Sequence, residues 1–270
     1  MIKLEKAIFI STLQGVKYIT QEYSRIYFGN EFCQRLIPSK KDLKEIIRIA
    51  DSREMGLTLV TPYVTNKGIN QLRELFDLLN SRKNSCEVVI NDWGVLRVLN
   101  AEYGVLQPVL GRLLHKLKRG PEIKNIIKEL PSSALKHFKD SNVSLVWFRR
   151  FLSQNRIKRV AFDNVIQGIE ADLDSGGFSM QGSFYFPYVY VTTARVCLVG
   201  GCKAKKSSSK VGIFPCRKEC RKHTFYLENS DMPETLILKG NTQFFINDKL
   251  PRNLASKGIN RIVEQPEIPM

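Results

Sequence analysis

Short apolar runs alternate with amphipathic helical stretches along most of this 270-residue chain, and that alternation limits the folds open to it. Strands are expected at residues 7–12, 25–28, 57–60, 88–90, 105–110, 159–162 and, as one long strand, 184–192. Between them, Ser39-Lys-Lys-Asp42 reads as a capping box opening a helix with Leu43, Ile46, Ile47 and Ala50 on one face. Asn66 is expected to cap the next helix, whose stripe is Ile69, Leu72, Leu75, Phe76 and Leu79. A short helix follows from Trp93, and another covers 147–154. Strands joined through helices imply a parallel sheet covered by helices. Seven strand candidates point to an α/β fold of the TIM-type (β/α) barrel class, irregular or incompletely closed in places. A doubly wound open sheet is the alternative. No glycine-rich phosphate loop follows any strand, which counts against its nucleotide-binding version. No repeat and no linker divides the chain, so residues 1–270 are expected to form a single barrel domain.

In such a barrel, function gathers at the C-terminal ends of the strands. Glu31 and Cys33 follow the second strand, Thr61-Pro-Tyr63 the third, and Asn91-Asp92 the fourth. Gly111-Arg112 follows the fifth, Asp163-Asn164 the sixth, and Cys197 the long strand. No residue announces itself as a catalyst, and Glu31, Asn91, Asp92, Arg112 and Asp163 are the rim candidates. Their carboxylates and amides suit a polar substrate, but Asx residues also cap helices and close βα turns. Arg112 suits a carboxylate or phosphate held in bidentate fashion, or a rim salt bridge. Phe184, Tyr185, Phe186, Tyr188 and Tyr190 read as core and rim packing more readily than as a base-stacking platform.

Four of the six cysteines fall in residues 197–222: Cys197-Leu-Val-Gly-Gly-Cys202, thirteen residues, then Cys216-Arg-Lys-Glu-Cys220. The first ten residues hold an apolar run too short for a signal-peptide core, and no later run approaches the ~20 residues of a membrane span. A cytoplasmic location is therefore expected, where thiols stay reduced and metal ligation is favoured over disulfides. Thiolates select soft centres: an iron-sulfur cluster, zinc or cuprous copper. The two spacings also resemble a loose zinc knuckle, which keeps zinc open as the alternative cofactor. Cys86 begins a strand and reads as a small core residue.

The net charge is +16, from 42 Lys and Arg against 26 Asp and Glu. Residues 203–222 carry Lys203, Lys205, Lys206, Lys210, Arg217, Lys218, Arg221 and Lys222 against the single acid Glu219. Such an excess suits a polyanion such as RNA, or offsets the negative charge of a thiolate-bound centre. His115, His137 and His223 lie in no serine-elbow or zinc-helix motif, which disfavours a peptidase, and the surroundings of His115 and His137 suggest solvated surface positions.

With these pieces in place, the chain resembles family 32 of the unclassified peptidases, the collagenase-like (U32) proteins. It is most similar to their UbiU and UbiV type, which serves anaerobic ubiquinone hydroxylation. The resemblance rests on Tyr27-Phe-Gly-Asn-Glu-Phe-Cys33, Val89-Ile-Asn-Asp-Trp-Gly-Val-Leu96, Leu110-Gly-Arg-Leu-Leu114 with Lys118-Arg-Gly-Pro121, Phe162-Asp-Asn164, and Thr193-Ala-Arg-Val-Cys197 leading to Cys216-x3-Cys220. It implies a TIM-like barrel carrying a 4Fe-4S cluster on Cys33, Cys197, Cys216 and Cys220, within a cysteine-rich segment at the C-terminal rim. Val196 departs from the family's pattern, and Cys202 makes a fifth thiol that could replace Cys197 or Cys33. Oxygen-independent hydroxylation is the implied activity, of a ubiquinone-pathway or similar small aromatic substrate, or of tRNA or ribosomal RNA bases. A homologous partner subunit is implied as well. A non-catalytic zinc or iron-sulfur module for RNA or a protein partner is the reading from outside the enzymes.

Overall fold

The computed structural model describes residues 4–82, 84–171, 173–174, 177, 179–201 and 216–270. Its strands are β1 (Glu5–Ile10), β2 (Arg25–Gly29), β3 (Gly56–Val60), β4 (Glu87–Ile90), β5 (Gln107–Leu110), β6 (Arg159–Asp163), β7 (Gln181–Phe186), β8 (Tyr188–Thr193), β9 (Phe225–Leu227), β10 (Leu236–Lys239), β11 (Thr242–Ile246) and β12 (Ile259–Glu264). Eight of them close a parallel barrel in the order β1-β12-β7-β6-β5-β4-β3-β2. The TIM-type expectation holds and the open sheet is excluded. The thinnest seam lies between β5 and β6, whose register is held at Leu110 and Val160.

The helices are α1 (Lys40–Ser52), α2 (Asn66–Asn80), α3 (Trp93–Glu102), α4 (Ile123–Ile126), α5 (Ser132–Lys139) and α6 (Val146–Gln154). Ser39 and Asp42 form the expected capping box, and α1 buries Leu43, Ile46, Ile49 and Ala50. Asn66 is not the cap of α2. Thr65 takes that place without a side-chain cap bond, because its hydroxyl and backbone N–H both donate to Gln34 Oε1. Among the described residues, no helix is long and apolar enough to cross a membrane.

The strand alternation places one set of side chains outward against the helices and another in the bore. Ala7, Phe9, Tyr27, Val60, Val89, Val109, Ala161, Tyr185 and Val263 fill that bore. Small residues on β1 and β6 make room for the rings of Phe9, Tyr27 and Tyr185, which meet edge to face. The barrel is thus a packed core rather than a channel.

The expected long strand is two strands. It breaks at Pro187, which follows a cis peptide bond and has no N–H to give a ladder. β7 stays in the barrel, while β8 pairs antiparallel with β11 in a second sheet ordered β8-β11-β10-β9. The strand expected at 105–110 begins only at Gln107, and Val105 is exposed in the preceding turn. β12, the eighth barrel strand, lies beyond every strand read from the sequence. The small sheet packs on the C-terminal side of the barrel through Phe32, Leu36, Tyr190, Ile237 and Phe244.

Candidate functional site

Four thiols meet under the small sheet. Cys33 follows β2, where Asn30 Oδ1 accepts from the N–H of Phe32 at 3.0 Å and of Cys33 at 2.8 Å. That Asx arrangement turns the chain and fixes the Cys33 side chain at the rim. Cys197 follows β8, and its Sγ accepts from Gly200 N–H at 3.3 Å. Cys216 Sγ accepts from Lys218 N–H at 3.4 Å. Cys220 sits in the short 3-10 turn Glu219–Arg221, where Glu219 takes the Arg217 N–H at 3.0 Å. All four are free thiols lining one cavity of about 60 Å³, with Arg35 and Arg195 also on its wall. Gly240, at φ +63, lets the β10–β11 turn approach: a Cβ there would come 2.3 Å from Met270 Cε and 3.2 Å from Cys220 Cβ.

Burial pushes the thiols of Cys33 and Cys197 above their usual range and that of Cys220 to about 11. The neighbouring thiols add to this, since each resists a second negative charge nearby. Any metal bound here therefore displaces protons as it enters. Among the described residues, no three His, Cys, Asp or Glu side chains have the geometry of a single-ion site. Cys202 and the basic residues Lys203, Lys205, Lys206 and Lys210 lie outside the described residues. Cys86 is buried before β4, as expected.

The rim candidates are near neighbours with their polar groups spent on the protein itself. Arg112 is fully buried and bridges two acids, bonding Glu31 through Nη2 and donating from Nη1 to Asp163 at 2.6 Å. Arg119 Nε donates to the other Asp163 oxygen at 2.6 Å, and the hydroxyl of Tyr190 donates to Arg112 O at 2.9 Å. The Arg112 guanidinium also lies 4.3 Å from the Tyr185 ring. Burial pushes Glu31 upward against the pull of Arg112, while the two acids hold Arg112 protonated despite its burial. Two acids and two arginines thus plug the barrel mouth and tie it to β8. Of the two roles open to Arg112, the ion pair is the one its geometry displays.

Asn91 donates to Thr61 O at 2.9 Å and accepts from Leu113 N–H at 3.1 Å, strapping adjacent βα loops. Asp92 caps α3 through Gly94 N–H at 2.7 Å and accepts from Val64 N–H at 3.1 Å. Asn164 donates to the carbonyls of Asn247 and Lys249. His115 is not on the surface. It is buried between Ala161 O at 2.7 Å and Ser141 Oγ at 3.1 Å, and burial, then the nearby Arg119 charge, lowers it to about 3. His137 is exposed as expected, and His223 is half-buried. Phe184, Tyr185 and Tyr190 are core residues.

Sequence reasoning missed a second, larger cleft beside the thiols. Leu36 and Met270 line both spaces. Its walls come from seven separate stretches, around residues 11–14, 28, 36–42, 188, 221–222, 239 and 266–270, so no local pattern could have revealed it.

No family model matches the chain, and neither does any curated protein compared with it. Among solved structures, the chain is similar to the U32 peptidase Mk0906, with a TM-score of 0.47 and 10% identity over 99% of this chain and 94% of that one. It is also similar to a glycoside hydrolase family 18 N-acetylglucosaminidase from Paenibacillus barengoltzii, with a TM-score of 0.39 and 6% identity over 97% of this chain and 94% of that one.

Proposed function

We propose that Cys33, Cys197, Cys216 and Cys220 hold a 4Fe-4S cluster, and that the protein takes part in oxygen-independent hydroxylation of a ubiquinone-pathway or similar small aromatic substrate, alongside a homologous partner subunit. The observation that carries this reading is the convergence of Cys33, from the start of the barrel, with three free thiols of residues 197–220 on one small cavity. An all-sulfur donor set is soft and suits iron-sulfur or zinc. When bound, such a cluster supplies one-electron transfer.

The chain's own residues would hold and shield that centre. Arg35 and Arg195 on the cavity wall would offset the charge of the thiolates, and Leu36, Val196 and Met270 would keep water away. Anaerobic purification tests the reading directly. A brown protein with about four irons and matching sulfide per chain is expected. A colourless protein with one zinc sinks it. Comparing quinones with modified nucleosides after gene deletion under anoxia then identifies the substrate.

RNA base hydroxylation is the second reading, favoured by the net charge of +16 and by Trp147, which is 77% exposed with the Arg150 guanidinium 5.5 Å from its ring. It requires RNA that co-purifies and is released steeply as salt rises.

A further inference from the structure

The larger cleft has a volume of about 780 Å³ and opens at the C-terminal ends of β1, β2, β7 and β12. That is within the range of small-molecule sites. Phe28, Leu36, Pro38, Tyr188, Pro266 and Ile268 give it apolar walls, and Arg221, Lys222 and Lys239 line it with positive charge. Its two acids are already engaged. Asp42 belongs to the capping box of α1, and Glu267 accepts from Tyr18 OH at 2.8 Å with Lys17 Nζ at 4.0 Å. Lys239 donates to Thr224 Oγ1 at 3.1 Å. Arg221 and Lys222 are different: among the described residues, neither side chain has a hydrogen-bond or ion-pair partner, and both are exposed.

Unspent cations at the edge of an apolar cleft select a ligand with two halves. The apolar walls take a flat hydrophobic body, and Arg221 with Lys222 takes one oxyanion. The turn Glu219–Arg221 joins this cleft to the thiol cavity: Cys220 enters one and Arg221, the next residue, lines the other. We propose that the cleft binds a small amphipathic oxyanion, an apolar ring system bearing a carboxylate or phosphate seated on Arg221 and Lys222, and that this ligand is the substrate served by the thiol site. Only the last clause rests on the cluster reading; anion binding does not.

Calorimetric titration of the anaerobically purified protein tests this with naphthoate and its neutral counterpart naphthamide, with iron and zinc measured on the same sample. Naphthoate should bind about fivefold tighter than naphthamide. That ratio should fall to near one in the double variant Arg221→Gln/Lys222→Gln and survive in Arg221→Lys. It should also survive in Lys116→Gln/Lys118→Gln, which alters a different basic hollow. Thr12→Trp, which fills the cleft, should weaken both probes. Naphthyl phosphate run alongside distinguishes the two oxyanions, and preference for either supports the site. Equal affinity for acid and amide overturns the proposal, as does a ratio that persists in the Arg221/Lys222 variant. A preserved ratio in protein without iron sinks the cluster and leaves the anion site standing; iron without the ratio does the reverse.

Discussion

The two ends of the barrel treat charge differently. At the N-terminal ends of the strands, Glu5 and Glu87 are shared among Arg25, Arg159 and Arg261. Contacts are 2.7 Å from Arg25 to Glu5 and 2.6 Å from Arg261 to each acid. Tyr27 OH accepts from Arg261 at 2.7 Å and completes that layer. At the other end, the Glu31, Arg112, Asp163 and Arg119 plug is as fully paired. Above it, however, lie four free thiols and two exposed cations with no partner among the described residues. Paired groups hold a fold together, whereas unspent ones are available to a ligand. The base therefore reads as structural, and the groups free to meet a ligand lie above the plug, at the end where barrels of this architecture carry their sites.

The sharpest way to break that contrast is at the thiols. Cys220→Ser and Cys33→Ala should each abolish most of the iron retained under anaerobic purification while leaving the circular-dichroism spectrum unchanged. Full retention in Cys33→Ala would return the site to residues 197–220, with Cys202 as the fourth ligand. Next comes the plug. Arg112→Ala leaves Glu31 and Asp163 buried beside one remaining arginine, which should destabilise the fold by roughly 3–5 kcal/mol. Urea denaturation measures the loss. A change within about 0.5 kcal/mol would mean that Arg112 is spare, and so available to a substrate after all.

The alternation of strands and helices was legible because each of the first six barrel strands carries a short apolar run. β12 was not, since Ile-Asn-Arg-Ile-Val-Glu breaks its run with Arg261, a residue needed at the base of the barrel. Residues 184–192 read as one strand because the aromatic and β-branched run continues on both sides of Pro187, where the structure breaks it. At the rim, the positions of Glu31, Arg112 and Asp163 followed from the βα loops, while their mutual pairing spans 81 and 51 residues and no local pattern encodes it. His115 was misjudged because its basic sequence neighbours suggested solvent, whereas its ring hydrogen-bonds Ala161 of a barrel strand.

Acid offers a way to watch the two ends yield separately. At the base, burial alone would raise Glu87, but Arg261, Arg25 and Arg159 outweigh it and hold the carboxyl at about 2 against a usual 4.5. Its folded value is depressed, so its contribution is full above pH 4.5 and disappears as pH falls toward 2, a loss on the order of 3 kcal/mol. Glu87→Gln should already lack that stability at neutral pH and so show a much shallower decline below pH 4.5.

His115, behind the plug, titrates in a higher window. Arg119, Arg112 and Asp163 all act on it, and burial leads in holding its folded value at about 3 against 6.5. A depressed value again means stability that is full above 6.5 and declines as pH falls, here because the unfolded chain takes up a proton that the buried ring refuses. Between pH 6.5 and about 5, where Glu87 adds little to the slope, this loss amounts to about 2 kcal/mol. Urea denaturation of His115→Gln should start from lower stability at neutral pH and be nearly flat across that interval. A wild-type curve with no decline until pH 4.5 would instead mean that the base yields first.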